Sequence, residues 1–215
     1  MRSLKLISLV SSLMLLSSAA FAGSFGMGVT GGLYTIDTDG TETLRESGNK
    51  TSKSISEDVA IPEIFVEYVA DNGAAFGLSY IPAEEIGNQS RTDSNSDGDS
   101  GTYKAAAEID NHVMAYVDVP VYSALYVTGG LSRTTIVTNE SLNSGSSYAN
   151  QDVWGYTLGL GVKGDVPLGD GLYYKLAATY TDFESYESTA AGSASNKINA
   201  DVEATALKLS LGYKF

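Results

Sequence analysis

Cysteine is absent from the 215 residues, and proline occurs only four times. Without a thiol, disulfide scaffolds, cysteine-ligated zinc and thiol catalysis are all excluded. Histidine occurs once, so any histidine base or ligand has to be His112. Positive charge is scarce too: 13 Lys and Arg against 26 Asp and Glu give a formal net charge of −13. A nucleic-acid partner would want a basic face, so none is expected. What the chain has in quantity is glycine, 23 residues, and tyrosine, which supplies 14 of the aromatic rings.

Residues 1–22 read as an export signal. Arg2 and Lys5 form a positive start, Leu6 to Leu16 an apolar stretch, and Ala20-Phe21-Ala22 a small-x-small cleavage site before Gly23. The apolar stretch is shorter than the ~20 residues a spanning helix needs, which argues against a retained anchor. The expected domains are therefore a cleaved signal peptide, 1–22, and one folded domain, 23–215. No other segment approaches a transmembrane helix.

The remainder alternates with period two, the signature of strands with two unlike faces. At the C-terminus Thr205, Leu207, Leu209, Leu211, Tyr213 and Phe215 share one face, and Ala204, Ala206, Lys208, Ser210, Gly212 and Lys214 the other. Segments 153–166, 172–182 and 25–34 behave alike, and 59–70, 74–82, 107–119 and 124–137 follow less cleanly. Arg133 is the worst exception, falling on the apolar face of its strand. Eight strands result. Their connections alternate strictly between long (37–58, 83–104, 138–152, 183–200) and short (71–73, 120–123, 167–171). An up-and-down barrel with its short turns at one end and long loops at the other has this order, whereas a sandwich has no reason for it. The fold class is all-β, an eight-stranded antiparallel up-and-down transmembrane β-barrel.

Ring positions agree. Phe25, Tyr68, Phe76, Tyr174, Tyr213 and Phe215 fall at the short-turn ends, and Tyr80, Trp154, Tyr156 and Tyr180 at the long-loop ends. All ten are on the apolar face, as two aromatic girdles require. The opposite face then lines the interior. Parity puts Glu63, Glu67, Glu108, Asp110, His112, Asp118 and Asp165 there, with Lys163, Lys175, Lys208 and Lys214. Isolated buried charges cost several kcal/mol each, so these must pair or stay wet. Because eight strands leave room for little besides side chains, the interior is expected to be plugged.

The ending Leu207-Lys208-Leu209-Ser210-Leu211-Gly212-Tyr213-Lys214-Phe215 resembles the last strand of bacterial outer-membrane proteins, with alternating apolar residues and a terminal Phe. With the export signal, residues 23–215 resemble the small eight-stranded barrels: outer-membrane proteins X and W, the opacity type, and the barrel of outer-membrane protein A. The resemblance implies a Gram-negative outer membrane, with outer-membrane lipids and lipopolysaccharide as surroundings. It also implies recognition of Leu211, Tyr213 and Phe215 by the barrel-assembly machinery. A monomer is expected, and no cofactor.

Two features invite chemistry. Some barrels of this size modify lipid A with a His, a Ser and an acid on the membrane-facing or extracellular side, but His112 shares the interior face, so an enzyme is not expected. Asp93, Asn95 and Asp97, followed by Gly98, match the first half of a calcium loop. Position 12 is Lys104 rather than Glu, which favours a plain solvated tip and commits to no metal. The four long loops carry a net −9 (−3, −3, −2 and −1 along the chain). The expected function is non-enzymatic: a plugged barrel with acidic outer loops, serving envelope structure or surface interaction. A narrow porin-like channel, a lipid A-modifying enzyme and an adhesin are the alternatives.

Overall fold

The computed structural model describes residues 23–45, 47–93, 101–141, 147–191 and 196–215. The expected export signal lies outside the described residues, as do Asn95 and Asp97 of the calcium-like motif. Among the described residues ten strands are formed: β1 Gly23–Thr43, β2 Lys50–Ala70, β3 Ala75–Ile81, β4 Glu84–Asp93, β5 Gly101–Tyr122, β6 Leu125–Ser141, β7 Gln151–Asp165, β8 Leu172–Phe183, β9 Tyr186–Thr189 and β10 Lys197–Lys214. They make eight staves. β3 and β4 are one stave broken at Pro82-Ala83, where the proline has no N–H for the ladder. β8 and β9 form another, broken at Glu184-Ser185. Every neighbour is antiparallel and follows in chain order, and β1 pairs β10 from Gly26–Lys214 to Thr43–Lys197, closing the ring.

The staves are longer than the alternation suggested. β1 and β2 pair from Gly23–Ala70 to Thr43–Lys50, so the expected 37–58 loop shrinks to residues 44–49. The expected 83–104, 138–152 and 183–200 loops are likewise partly strand. A strand of 21 residues is roughly 70 Å long at ~3.3 Å per residue. Tilted at ~40°, it rises about 50 Å, twice the ~25 Å apolar band of a membrane barrel. About half of the longest staves therefore stands beyond that band.

Alternation continues into this extension with its phase inverted. Near the short turns apolar side chains point outward: Val29, Leu158, Leu160, Leu207, Leu209 and Leu211 are all exposed. Farther along the same staves the outward positions become Asp37, Asp39, Asp58, Asp201 and Glu203, all exposed. There the apolar side chains turn inward, and Tyr34, Ile36, Ile61, Ile81, Ile86, Val202, Ala204 and Ala206 form one buried cluster. Ile136, Val153 and Tyr186 form a second. One half is polar inside and apolar outside, and the other is the reverse.

One stretch of parity is overturned. β5 pairs β6 through Asp110–Thr135 and then Val113–Arg133, so two β5 residues, Asn111 and His112, stand opposite Thr134. Asn111 is left-handed, with φ of 52°, a conformation asparagine tolerates better than most residues. The bulge re-aims everything before it. Ile109 packs with the interior cluster, and Glu108 and Asp110 face outward instead of lining the interior. Asp110 accepts hydrogen bonds from the Asn111 backbone N–H at 2.8 Å and side-chain Nδ2 at 2.7 Å, and Glu108 accepts one from Asn139 at 3.3 Å.

Candidate functional site

The interior nearest the short turns is filled by one cation and its ring of partners. Lys175 Nζ on β8 lies 2.7 Å from Glu67 Oε2 on β2 and 3.1 Å from Asp118 Oδ2 on β5. Three staves spaced around the ring thus meet at one ammonium. Glu67 also accepts hydrogen bonds from the Tyr116 and Tyr173 hydroxyls, each at 2.7 Å. The Lys175 ammonium stands over the Phe65 ring at 4.7 Å and the Tyr116 ring at 4.9 Å. Glu67, Asp118 and Lys175 are 3%, 2% and 7% exposed, so this is a desolvated clamp and not a surface pair.

Glycines make room for the tyrosines. A side chain at Gly26 or Gly212 would run into the Tyr173 ring, one at Gly77 into Tyr116, and one at Gly161 into Tyr126. Each large ring in this half occupies the space a neighbouring stave leaves open by having no Cβ.

A second level lies farther from the short turns. Lys208 on β10 contacts Glu63 Oε2 on β2 at 3.0 Å, stands 5.3 Å over the Tyr34 ring, and Tyr34 donates to the same carboxylate at 3.4 Å. Thr30 and Ser210 share a 2.7 Å hydrogen bond across the β1–β10 seam. Between the levels lies a small pocket of about 50 Å³, bordered by Asp118, Lys175, Lys208 and Thr128. His112 is buried above Lys208, with its ring 6.4 Å from Phe183, edge to face.

Three of the remaining expected interior charges mark the rim at the short-turn end. Lys163 donates to the Gly73 carbonyl at 2.6 Å, capping the first short turn from inside. Lys214 meets Asp165 at 2.9 Å, but the Asp165 side chain is 80% exposed and belongs to the rim, not the interior. The structure therefore brings together Glu67, Asp118 and Lys175 in one group, and Glu63, Lys208 and His112 in the next. Glu108 and Asp110 belong to neither.

Residues 8–215 match the model of the outer membrane protein beta-barrel domain. The chain belongs to that family. It is an integral protein of the bacterial outer membrane. Solved structures share the fold: AlkL in lipid bilayers, at 13% identity over 93% of each chain with a TM-score of 0.55, and OprG of Pseudomonas aeruginosa, at 16% identity over 91% of this chain and 97% of that one with a TM-score of 0.54. No curated protein matches the sequence.

In an outer-membrane barrel the outward apolar band meets lipid and the short turns face the periplasm. Phe76, Trp154, Tyr156, Tyr174, Tyr180, Tyr213 and Phe215 are exposed on the lipid side, and Phe25 stacks edge-on against Tyr68 with ring centroids 5.4 Å apart. Tyr80, half-buried, pairs with the lipid-facing Ile64. Arg133 lies across from Trp154 and turns to the Asp152 carboxylate, just outside the band. There the Thr135 hydroxyl and the Arg133 guanidinium hold the Asp152 carboxyl below its usual range.

Beyond the girdle the outer face of β1, β2 and β10 is layered by cross-strand register. Asp37 stands opposite Glu203 and Ser56, Asp39 opposite Asp201 and Ser54, Thr41 opposite Asn199 and Ser52, and Thr43 opposite Lys197 and Lys50. Acid comes first, then neutral hydroxyls and amides, then a lysine pair at the tip. This stratification and the interior tyrosines went unread in the sequence. The signal for both was present: the glycines at the facing positions, and the reversed phase of the alternation.

Proposed function

We propose that this family member is a closed, non-enzymatic wall element of the outer membrane, a plugged barrel that carries a rigid, acid-faced β-ribbon into the extracellular space for envelope structure or surface interaction. The Lys175 clamp carries the reading. A cation shared by Glu67 and Asp118 from two other staves, with Tyr116 and Tyr173 filling the remaining section, leaves ions no path that avoids breaking a buried pair. The Lys208–Glu63 level doubles the obstruction. The non-enzymatic part is supported by His112, which packs on Phe183 inside the barrel rather than on the lipid or extracellular side. The outward setting of Leu211, Tyr213 and Phe215 suits recognition by the barrel-assembly machinery before the seam closes, and the acidic layer sits where lipopolysaccharide surrounds the barrel.

Planar-bilayer recording of the purified protein tests the plug. The wild type should insert without conductance steps, and a Glu67→Ala, Lys175→Ala double variant should give small, steady ones. Reproducible steps from the wild type would replace this reading with the narrow channel. A change in lipid A mass on His112→Ala would replace it with the enzyme.

A further inference from the structure

On the lipid side, near the short turns, the wall carries a groove of about 430 Å³, within the size range of ligand sites. Val66 and Tyr68 line it from β2, Phe76 and Leu78 from β3, and Ala115 and Val117 from β5. The cross-strand register explains the dip. Ala115 stands between Leu78 and Leu131, and Val117 is paired with Gly129, where an added Cβ would meet nothing. Phe76 and Leu78, 55% and 48% exposed, rise beside these short residues. The Tyr68 ring in the same lining is braced edge-on by Phe25.

Charge around the groove is one-sided. Segments 23–34, 62–81 and 112–122, which build this part of the wall, hold no Lys or Arg. Their acids Glu63, Glu67 and Asp118 are buried inside the barrel. Asp71 alone is exposed, in the turn just past the Tyr68–Phe76 pair. We infer that the groove seats an acyl chain of a phospholipid from the periplasmic leaflet, and that Asp71 selects a lipid whose head ends in a primary amine. The leaflet follows from the short turns, which face the periplasm. An apolar groove by itself would take any chain, and the acid at its end supplies the preference. An ammonium head can donate to the Asp71 carboxylate, whereas a net anionic head meets that carboxylate with no neighbouring cation to offset it. The groove lies on the outside of the wall, so the site stands whether the interior is plugged or conducts.

The test places the full protein, with labelled Val and Leu methyls, in nanodiscs of phosphatidylcholine, whose quaternary head has no N–H to give Asp71. Dioleoyl-phosphatidylethanolamine or, separately, dioleoyl-phosphatidylglycerol is then added in steps. Val66, Leu78 and Val117 report the groove, and Leu160 and Leu209, exposed on β7 and β10, report the surrounding bilayer. Saturable groove shifts are expected with the ethanolamine lipid at a mole fraction about threefold lower than with the glycerol lipid, the scale of one exposed charge pair. Asp71→Asn should erase that difference and keep the shifts. Ala115→Phe should fill the groove and abolish saturation, with Leu160 and Leu209 unchanged. Groove shifts that only track Leu160 and Leu209, or saturation that survives Ala115→Phe, would overturn the site. Equal response to the two lipids in the wild type, or a preference that persists in Asp71→Asn, would overturn the choice of head.

Discussion

Asp110 and His112 are two residues apart on one strand yet lie on opposite faces of the barrel wall. Asn111 between them is left-handed and adds one residue to β5 against β6. Strict alternation would put both side chains inside, and an unpaired Asp110 carboxylate would then sit among isoleucines.

Replacing Asn111 tests how firmly this is held. Asn111→Val forces a β-branched residue into a left-handed conformation and removes the side-chain hydrogen bond to Asp110, so unfolding in urea should show a loss of about 1–2 kcal/mol. Asn111→Gly, free of the steric cost, should come within a few tenths of a kcal/mol of the wild type once its greater unfolded freedom is counted. Equal loss in both variants would mean that the side-chain contact, and not the backbone, sets the bulge.

Lys175→Met leaves Glu67 and Asp118 buried beside one another without their cation. The expected loss is about 3–5 kcal/mol, as for other buried pairs stripped of one partner, read from urea unfolding of the protein in lipid vesicles. Adding Glu67→Gln and Asp118→Asn to that variant removes the stranded charges and should restore part of the loss. A loss under ~1 kcal/mol in the single variant would show that water already reaches the clamp.

The acidic layer makes the opposite forecast. Asp39 stands directly across from Asp201, and Asp37 from Glu203, on the exposed outer face, and like charges in register repel. Asp39→Asn keeps an acceptor for the Ser54 hydroxyl and removes one charge, so the urea midpoint should rise. The gain should fade in molar salt, where exposed charges are screened. A gain that persists in molar salt would point to something other than repulsion.

Gly77→Ala should disturb the clamp from the far side. Its Cβ would overlap the Tyr116 ring, so the ring must move and take its hydroxyl off Glu67. The expected signature is a loss of about 1–3 kcal/mol, the cost of overpacking, and Tyr116→Phe should leave most of it in place, because the ring, more than its hydroxyl, is the obstacle. Urea unfolding of the single and double variants separates the two.

The membrane half was legible because two requirements coincide there: lipid demands apolar side chains outward, and a narrow interior full of paired charge demands polar ones inward. Leu207 to Phe215 shows both at once. The outer half was not legible as strand, because Asp37, Asp39 and Ser54 read as loop to any scan that expects apolar residues on the same parity throughout. Ile36, Val202 and Ile61 kept the period but changed its phase. The interior charges Glu63, Glu67, Asp118, Lys175 and Lys208 could be placed on their face by parity, yet which acid meets which lysine depends on stagger around the ring, and no single strand contains that. Glu108 and Asp110 were misplaced by one left-handed asparagine, whose neighbours give no turn signal.

The position of the lysines in the chain has a consequence for manufacture. Glu63, Glu67 and Asp118 are made early, whereas Lys175 arrives on β8 and Lys208 and Lys214 only on β10, the last strand. Without those last staves the interior acids would face one another with no cation between them. The strand that joins β1 also neutralises Glu63 and Asp165. The tail of the polypeptide thus works as a clasp, holding the seam by backbone ladder and by charge together.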